Sequence, residues 1–199
     1  MTPSVAHLPL QGVMAGFRRF SIPEYHHLAQ LGILTEDDNL ELLEGYLVHK
    51  MTRNPRHDGA LDFLLETFFP MIPREYKVRI QAAVTLSDSE PEPDLAIVRR
   101  GPNYRLQHPA PADIALVIEV SDSSLDGDRA DKCRIYARAG LPIYWIVNLV
   151  DGQIEVYSSP VGGPTPGYRD RVDRHIGDEV EVVLAGRRVG SVAVSAVLG

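Results

Sequence analysis

Residues 94–99, DLAIVR, and 114–121, IALVIEVS, are two apolar runs of strand length, and each carries one carboxylate. Asp94 opens the first run and Glu119 lies near the end of the second. A carboxylate inside a buried strand carries a large desolvation penalty unless a cation, a metal or a hydrogen-bond donor compensates it. Lys132 follows on a helical stretch, completing an ordered series of acid, acid and base. Two such carboxylates with a nearby ammonium point to a metal-ion site.

Reading outward, the run 114–121 has apolar residues on both of its faces, which implies a sheet covered on both sides. Leu116, Ile118 and Val120 point one way; Ala115, Val117, Glu119 and Ser121 point the other, so Glu119 shares a face with core residues. VRIQAAVTL, residues 78–86, reads as the strand before DLAIVR, with proline-rich loops between the three. A helix is expected from Ser124 to Ala139, stopped by Gly140, and Pro142 leads into the strand IYWIVNL. This completes a strand, helix, strand unit.

Upstream, SIPEYHHLAQLGI carries a helix start, with Ser21 as cap, Pro23 in the first turn and Glu24 three residues after the cap. LELLEGYLVHKM reads as a tight hairpin turning at Glu44 and Gly45. Pro55 starts a helix in which His57, Ala60, Leu61, Leu64, Leu65 and Phe68 form one face, and Pro70 and Pro73 are expected to end it. Downstream, Asp151 and Gly152 turn the chain into QIEVYS, and the remainder reads as hairpins with a terminal edge element. Residues 1–16 read as a loosely ordered leader and 17–199 as a single domain.

Composition bounds the function. With 199 residues and 44% hydrophobic content the chain can bury a sizeable core, and its apolar runs fall far short of the roughly 20 residues a membrane-spanning helix requires. The N-terminal Arg pair follows the mildly apolar part, the wrong order for a secretory signal, so a cytoplasmic protein without membrane contact is expected. The single cysteine, Cys133, excludes an internal disulfide and a cysteine zinc site. A formal charge of −7 argues against a broadly basic nucleic-acid coat. Local arginine groups at Arg99, Arg100 and Arg105 and at Arg169, Arg171, Arg174, Arg187 and Arg188 are either solvated surface charge or a basic groove.

On the helix from Ser124, Lys132 shares a face with Leu125, Asp128, Ile135 and Tyr136. A lysine there is either half of a structural ion pair with Glu119 or part of a catalytic site. Asp126, Asp128 and Asp131 crowd the helix start and read as solvated capping residues, and Tyr136 reads as a packing or surface position. The segments PEPDLAIVR, LVIEVSDSS, DRADKCRIYARAGLPIYWIVNL and IEVYSSP, in that order, resemble the Uma-two family of restriction-endonuclease-like proteins, a branch of the PD-(D/E)XK nuclease superfamily. The resemblance spans roughly residues 17 to 195 and includes the ELLEGYLV hairpin and the Pro55 to His57 helix start.

The resemblance implies an α/β fold with a restriction-endonuclease-like central mixed sheet flanked by helices, cleavage of DNA with Mg²⁺ or Mn²⁺, and a homodimer. It places metal binding on Asp94 and Glu119, and the Val120 carbonyl is a further metal contact. An unmodified motif has lysine two residues after the second acid, where this chain has Ser121; Lys132 is similar to the helix-borne, migrated lysine of this branch. Glu44 resembles the family's early acid, which adds a ligand or holds one through a water, the other reading being a solvent-exposed turn residue; His57 either supports the site and handles a proton or is a satisfied core or cap histidine. Gln81 either reaches the same site by neighbouring Asp94 across the sheet or is a strand glutamine bonded to backbone. A catalytically silent nuclease-fold module that binds nucleic acid or protein is the alternative, and a hydrolase of small phosphate esters is a third.

Overall fold

The computed structural model describes residues 16–101 and 103–199. The leader assigned to residues 1–16 therefore lies, but for Gly16, outside the described residues. Within the described residues, helix α1 spans Ile22–Gln30. Its cap is reciprocal: the Ser21 side chain accepts from the Glu24 N–H, and the Glu24 carboxylate accepts from the Ser21 N–H. Strands β1 (Leu40–Leu43) and β2 (Tyr46–His49) then form an antiparallel hairpin. Its two turn residues, Glu44 and Gly45, have φ of 50° and 81°, both in the left-handed region that a two-residue hairpin turn demands.

Helix α2 (Pro55–Met71) starts on Asn54, whose side-chain oxygen accepts from the Arg56 and His57 N–H groups. It buries His57, Ala60, Leu61, Leu64 and Phe68, the face its spacing predicts, while Leu65 is half-buried. Contrary to expectation, Pro70 does not end the helix but sits inside its last turn. Proline fixes φ near the helical value and removes only one bond there, and the Ile72 N–H still reaches the Phe68 carbonyl at 2.9 Å.

Six strands form the central sheet in the order β3 (Tyr76–Ile80), β4 (Leu95–Arg99), β5 (Ile114–Ser121), β6 (Ile143–Asn148), β7 (Gln153–Val161) and β8 (Gly167–His175). All neighbours are antiparallel except β5 and β6, which run parallel. That pair is joined by helix α3 (residues 125–138), so the sheet is mixed. Every residue of β5 is buried. One face carries Leu95, Ile97, Leu116, Ile118, Trp145 and Val147 and is covered by α2, the terminal helix α4 (Val194–Leu198) and a separate hairpin of β9 (Glu179–Leu184) and β10 (Arg187–Ala193). The other carries Ala96, Val98, Val117, Tyr144 and Ile146 against α3 and the β1–β2 hairpin.

Three expectations change here. VRIQAAVTL is not one strand: β3 ends at Ile80, and Gln81 turns the chain with a φ of 44°. The terminal edge element is helix α4 instead. The helix after β5 is not uniform: α3 consists of an α-helical turn (Leu125–Gly127), a π-helical turn (Asp128–Lys132) and an α-helical end (Cys133–Arg138). Single π turns inside α-helices occur frequently at functional sites. Among the described residues no helix is long and apolar enough to cross a membrane.

Candidate active site

At one end of β4 and β5 the β1–β2 hairpin, the start of α2 and the π turn of α3 enclose a cavity of about 280 Å³. Asp94, Glu119, Val120, Lys132, His57 and Gln81 all line it. Asp94 directly precedes β4. Its Oδ2 accepts from the Val120 N–H at 2.9 Å and lies 3.1 Å from His57 Nε2, and its Oδ1 accepts from Gln81 Nε2 at 3.5 Å. Val120 thus contributes its N–H to Asp94.

Burial works to raise the Asp94 pKa, but the His57 and Val120 hydrogen bonds and the charges of His57 and Lys132 outweigh it, leaving the carboxyl below its usual range. His57 is buried at the first turn of α2, and its bonding to Asp94 holds its pKa above the usual histidine value despite burial. Gln81 comes beside Asp94 by a different route from the strand pairing expected of it. Its left-handed backbone directs both its N–H, 3.1 Å from the Asp94 carbonyl, and its side chain to that one residue.

Glu119 is 3% exposed and accepts from the Tyr136 hydroxyl at 2.8 Å; its other oxygen lies 3.4 Å from the Asp94 N–H. Lys132 Nζ sits 3.1 Å from Glu119 Oε1 and 3.6 Å from both Glu41 Oε1 and Asp128 Oδ1. Burial alone would lower the Lys132 pKa, but Glu119, Glu41, Asp128 and Asp94 together carry it well above the ordinary value, so the ammonium keeps its proton. Burial raises the Glu119 carboxyl well above its usual range; Lys132 opposes this, and Asp128, Asp94 and Glu41 reinforce it.

Ser121, at the position where the unmodified motif has lysine, donates to Asp128 Oδ2 at 2.7 Å, as does Ser124. The serine thus occupies the strand position while Asp128 and Lys132 enter from the π turn. Asp128 and Asp131, expected as solvated capping residues, are 3% and 1% exposed. The π turn, together with Ser121, Ser124 and Arg134 as partners, takes them inward.

Glu44 is not brought to this cavity. It is buried, and its carboxylate is held by Arg134 and Arg138, whose hydrogen bonds and charges keep its pKa low against the effect of burial. Glu41, three residues earlier on β1, occupies the place beside Lys132, and its Oε2 accepts from the Glu92 N–H at 3.1 Å. Its signal was the one that singled out Glu119, a carboxylate between apolar residues of a strand. Tyr136, read from sequence as packing or surface, supplies the hydroxyl that fixes Glu119.

The donor set suits a hard cation. Glu119, Glu41, Asp128 and Asp94 surround one ammonium, leaving an excess of buried oxygen ligands over positive charge. Among the described residues no group of three His, Cys, Asp or Glu side chains is arranged to hold a metal. A pair of carboxylates is nonetheless a sufficient protein contribution for Mg²⁺, which retains several waters.

A family model described as "Putative restriction endonuclease", Uma2, matches residues 22–189. No curated protein matches the sequence. A solved structure described as "a putative nuclease belonging to DUF820", from Anabaena variabilis, superposes with a TM-score of 0.58 at 12% identity, covering 90% of this chain and 97% of that one. At that identity the likeness is one of fold.

Proposed function

This chain belongs to the Uma2 family, and from that premise we propose that it is an endonuclease hydrolysing DNA phosphodiester bonds in the cavity between β5, α3 and the β1–β2 hairpin. The observation that carries the reading is the convergence of Asp94, Glu119 and Lys132, with the lysine ammonium 3.1 Å from Glu119. Asp94 and Glu119 would hold Mg²⁺ or Mn²⁺. A bound divalent ion lowers the pKa of a coordinated water and offsets charge on the phosphate.

The chain's own groups divide the remaining work. Lys132 carries a proton and three donors into a pocket where carboxylates outnumber cations. It orients the attacking water or stabilises the negative charge gained by the phosphate. The Val120 N–H and His57 fix Asp94, and Tyr136 fixes Glu119. Glu41 and Asp128 keep Lys132 charged and aimed at the site.

The test is cleavage of single-stranded and duplex DNA in Mg²⁺, Mn²⁺ or EDTA by wild type, Asp94→Ala and Lys132→Ala. Metal-dependent cutting lost in both variants supports the reading. Cutting lost only in Asp94→Ala reduces Lys132 to a structural ion pair. A folded wild type that cuts nothing with either metal favours the silent module, a reading supported by the three carboxylates already engaging Lys132.

A further inference from the structure

A polyanion entering this cavity meets seven lining carboxylates and three lining cations other than histidine, Lys50, Arg53 and Lys132. Two of those cations are already engaged. Lys50 Nζ is 2.8 Å from a Glu92 carboxylate oxygen, and Lys132 is shared by three acids. Arg53 differs: it is exposed on the segment leading into α2, and its recorded side-chain partner is the neutral Gln81 Oε1. Among the described residues its formal charge therefore has no carboxylate against it, and most of its five N–H donors are without a protein partner.

Gln81 ties that cation to the site. Its Oε1 accepts from Arg53 while its Nε2 donates to Asp94 Oδ1, and its backbone N–H bonds the Asp94 carbonyl. The amide can serve both neighbours only in this orientation, because Arg53 has no acceptor and the Asp94 carboxylate has no donor. The left-handed φ of 44° at Gln81 is uncommon for a residue with a side chain and places its amide between rim and acid.

Resting on the nuclease reading, we propose that Arg53 is the docking residue for a backbone phosphate of the nucleic-acid strand, adjacent to the one being cut. Its planar guanidinium forms two parallel hydrogen bonds to non-bridging phosphate oxygens. Gln81 holds the guanidinium at a fixed offset from Asp94, so docking at Arg53 sets the register of the neighbouring phosphodiester over the carboxylates. Such a contact adds affinity without reading sequence.

The test is equilibrium binding of a duplex of fixed length by wild type, Arg53→Ala and Arg53→Lys in EDTA, across a series of salt concentrations. Thermal melting confirms that the variants fold. Arg53→Ala is expected to weaken binding about tenfold at low salt and to reduce the slope of log affinity against log salt by about one, the signature of one lost phosphate contact. Arg53→Lys is expected to keep the slope. An unchanged slope in Arg53→Ala, with or without lower affinity, overturns the proposal, because a merely structural arginine releases no counterion. Wild type that binds with the full slope but never cuts in Mg²⁺ or Mn²⁺ sinks the nuclease reading and leaves the docking role standing. Wild type that binds no DNA overturns both.

Discussion

Lys132 reaches Glu119 from the π turn of α3, with Nζ and Oε1 3.1 Å apart, while Ser121 fills the strand position that the unmodified motif gives to lysine. Lys132→Met is expected to abolish at least about 99% of cleavage, the scale on which a removed charge-stabilising donor acts. It should also destabilise the fold by about 3 kcal/mol, because it leaves buried carboxylates without their cation. Single-turnover cleavage and urea unfolding measure the two effects.

Glu41 makes a separable prediction. It accepts from the Glu92 N–H and lies 3.6 Å from Lys132. Glu41→Gln keeps an acceptor and the volume of the side chain but removes the charge. Cleavage should fall roughly tenfold, of order 1.4 kcal/mol in the barrier, with the urea midpoint little changed. Equal activity in the variant would remove Glu41 from the site.

The hairpin that carries Glu41 depends on Gly45. Its φ is 81°, and an added Cβ would lie 2.7 Å from Arg19 Cβ and 3.0 Å from the Phe20 carbonyl oxygen. Gly45→Ala is expected to cost about 2 kcal/mol, combining left-handed strain with the close approach. Denaturant unfolding reads it directly, and an unchanged midpoint would contradict the turn geometry.

Away from the cavity, Glu155 sets an acid limit on stability. Its carboxylate is fully buried; Arg129, Tyr157, Asn148 and Gln153 donate to it and, against the effect of burial, bring its pKa down to about 2. A depressed folded-state pKa contributes stability that is fully present above the unfolded value near 4.5 and is lost as pH falls toward 2. The loss attributable to this group is at most about 3 kcal/mol. Glu155→Gln should therefore be less stable than wild type at pH 6, and the gap should narrow by pH 3 in chemical unfolding.

Much of the architecture was legible because it rests on local rules. The Ser21 cap, the Glu44–Gly45 turn and the alternation along β5 each leave a signature in a few adjacent residues. Asp94, Glu119 and Lys132 stood out because a charge amid apolar neighbours requires a partner, and the fold brings the three together. The π turn at Asp128–Lys132 has no comparable signature, so the burial of Asp128 and Asp131 was missed. Glu41 and Glu44 lie three residues apart on one hairpin. Which of them faces Lys132 depends on the hairpin's placement against α3, a non-local fact. Gln81 likewise owes its position to one left-handed residue that ends β3 early.

Conversion of supercoiled plasmid by wild type and Asp94→Asn, in Mn²⁺ and in EDTA, tests the central claim most directly. Asparagine preserves the size and one acceptor of Asp94 but removes the charge that would hold the cation. The account predicts nicked and linear DNA from wild type in Mn²⁺ alone, and a rate lower by at least about a hundredfold in Asp94→Asn. Equal cutting by the two proteins, or cutting that survives EDTA, would contradict a metal-dependent site built on Asp94.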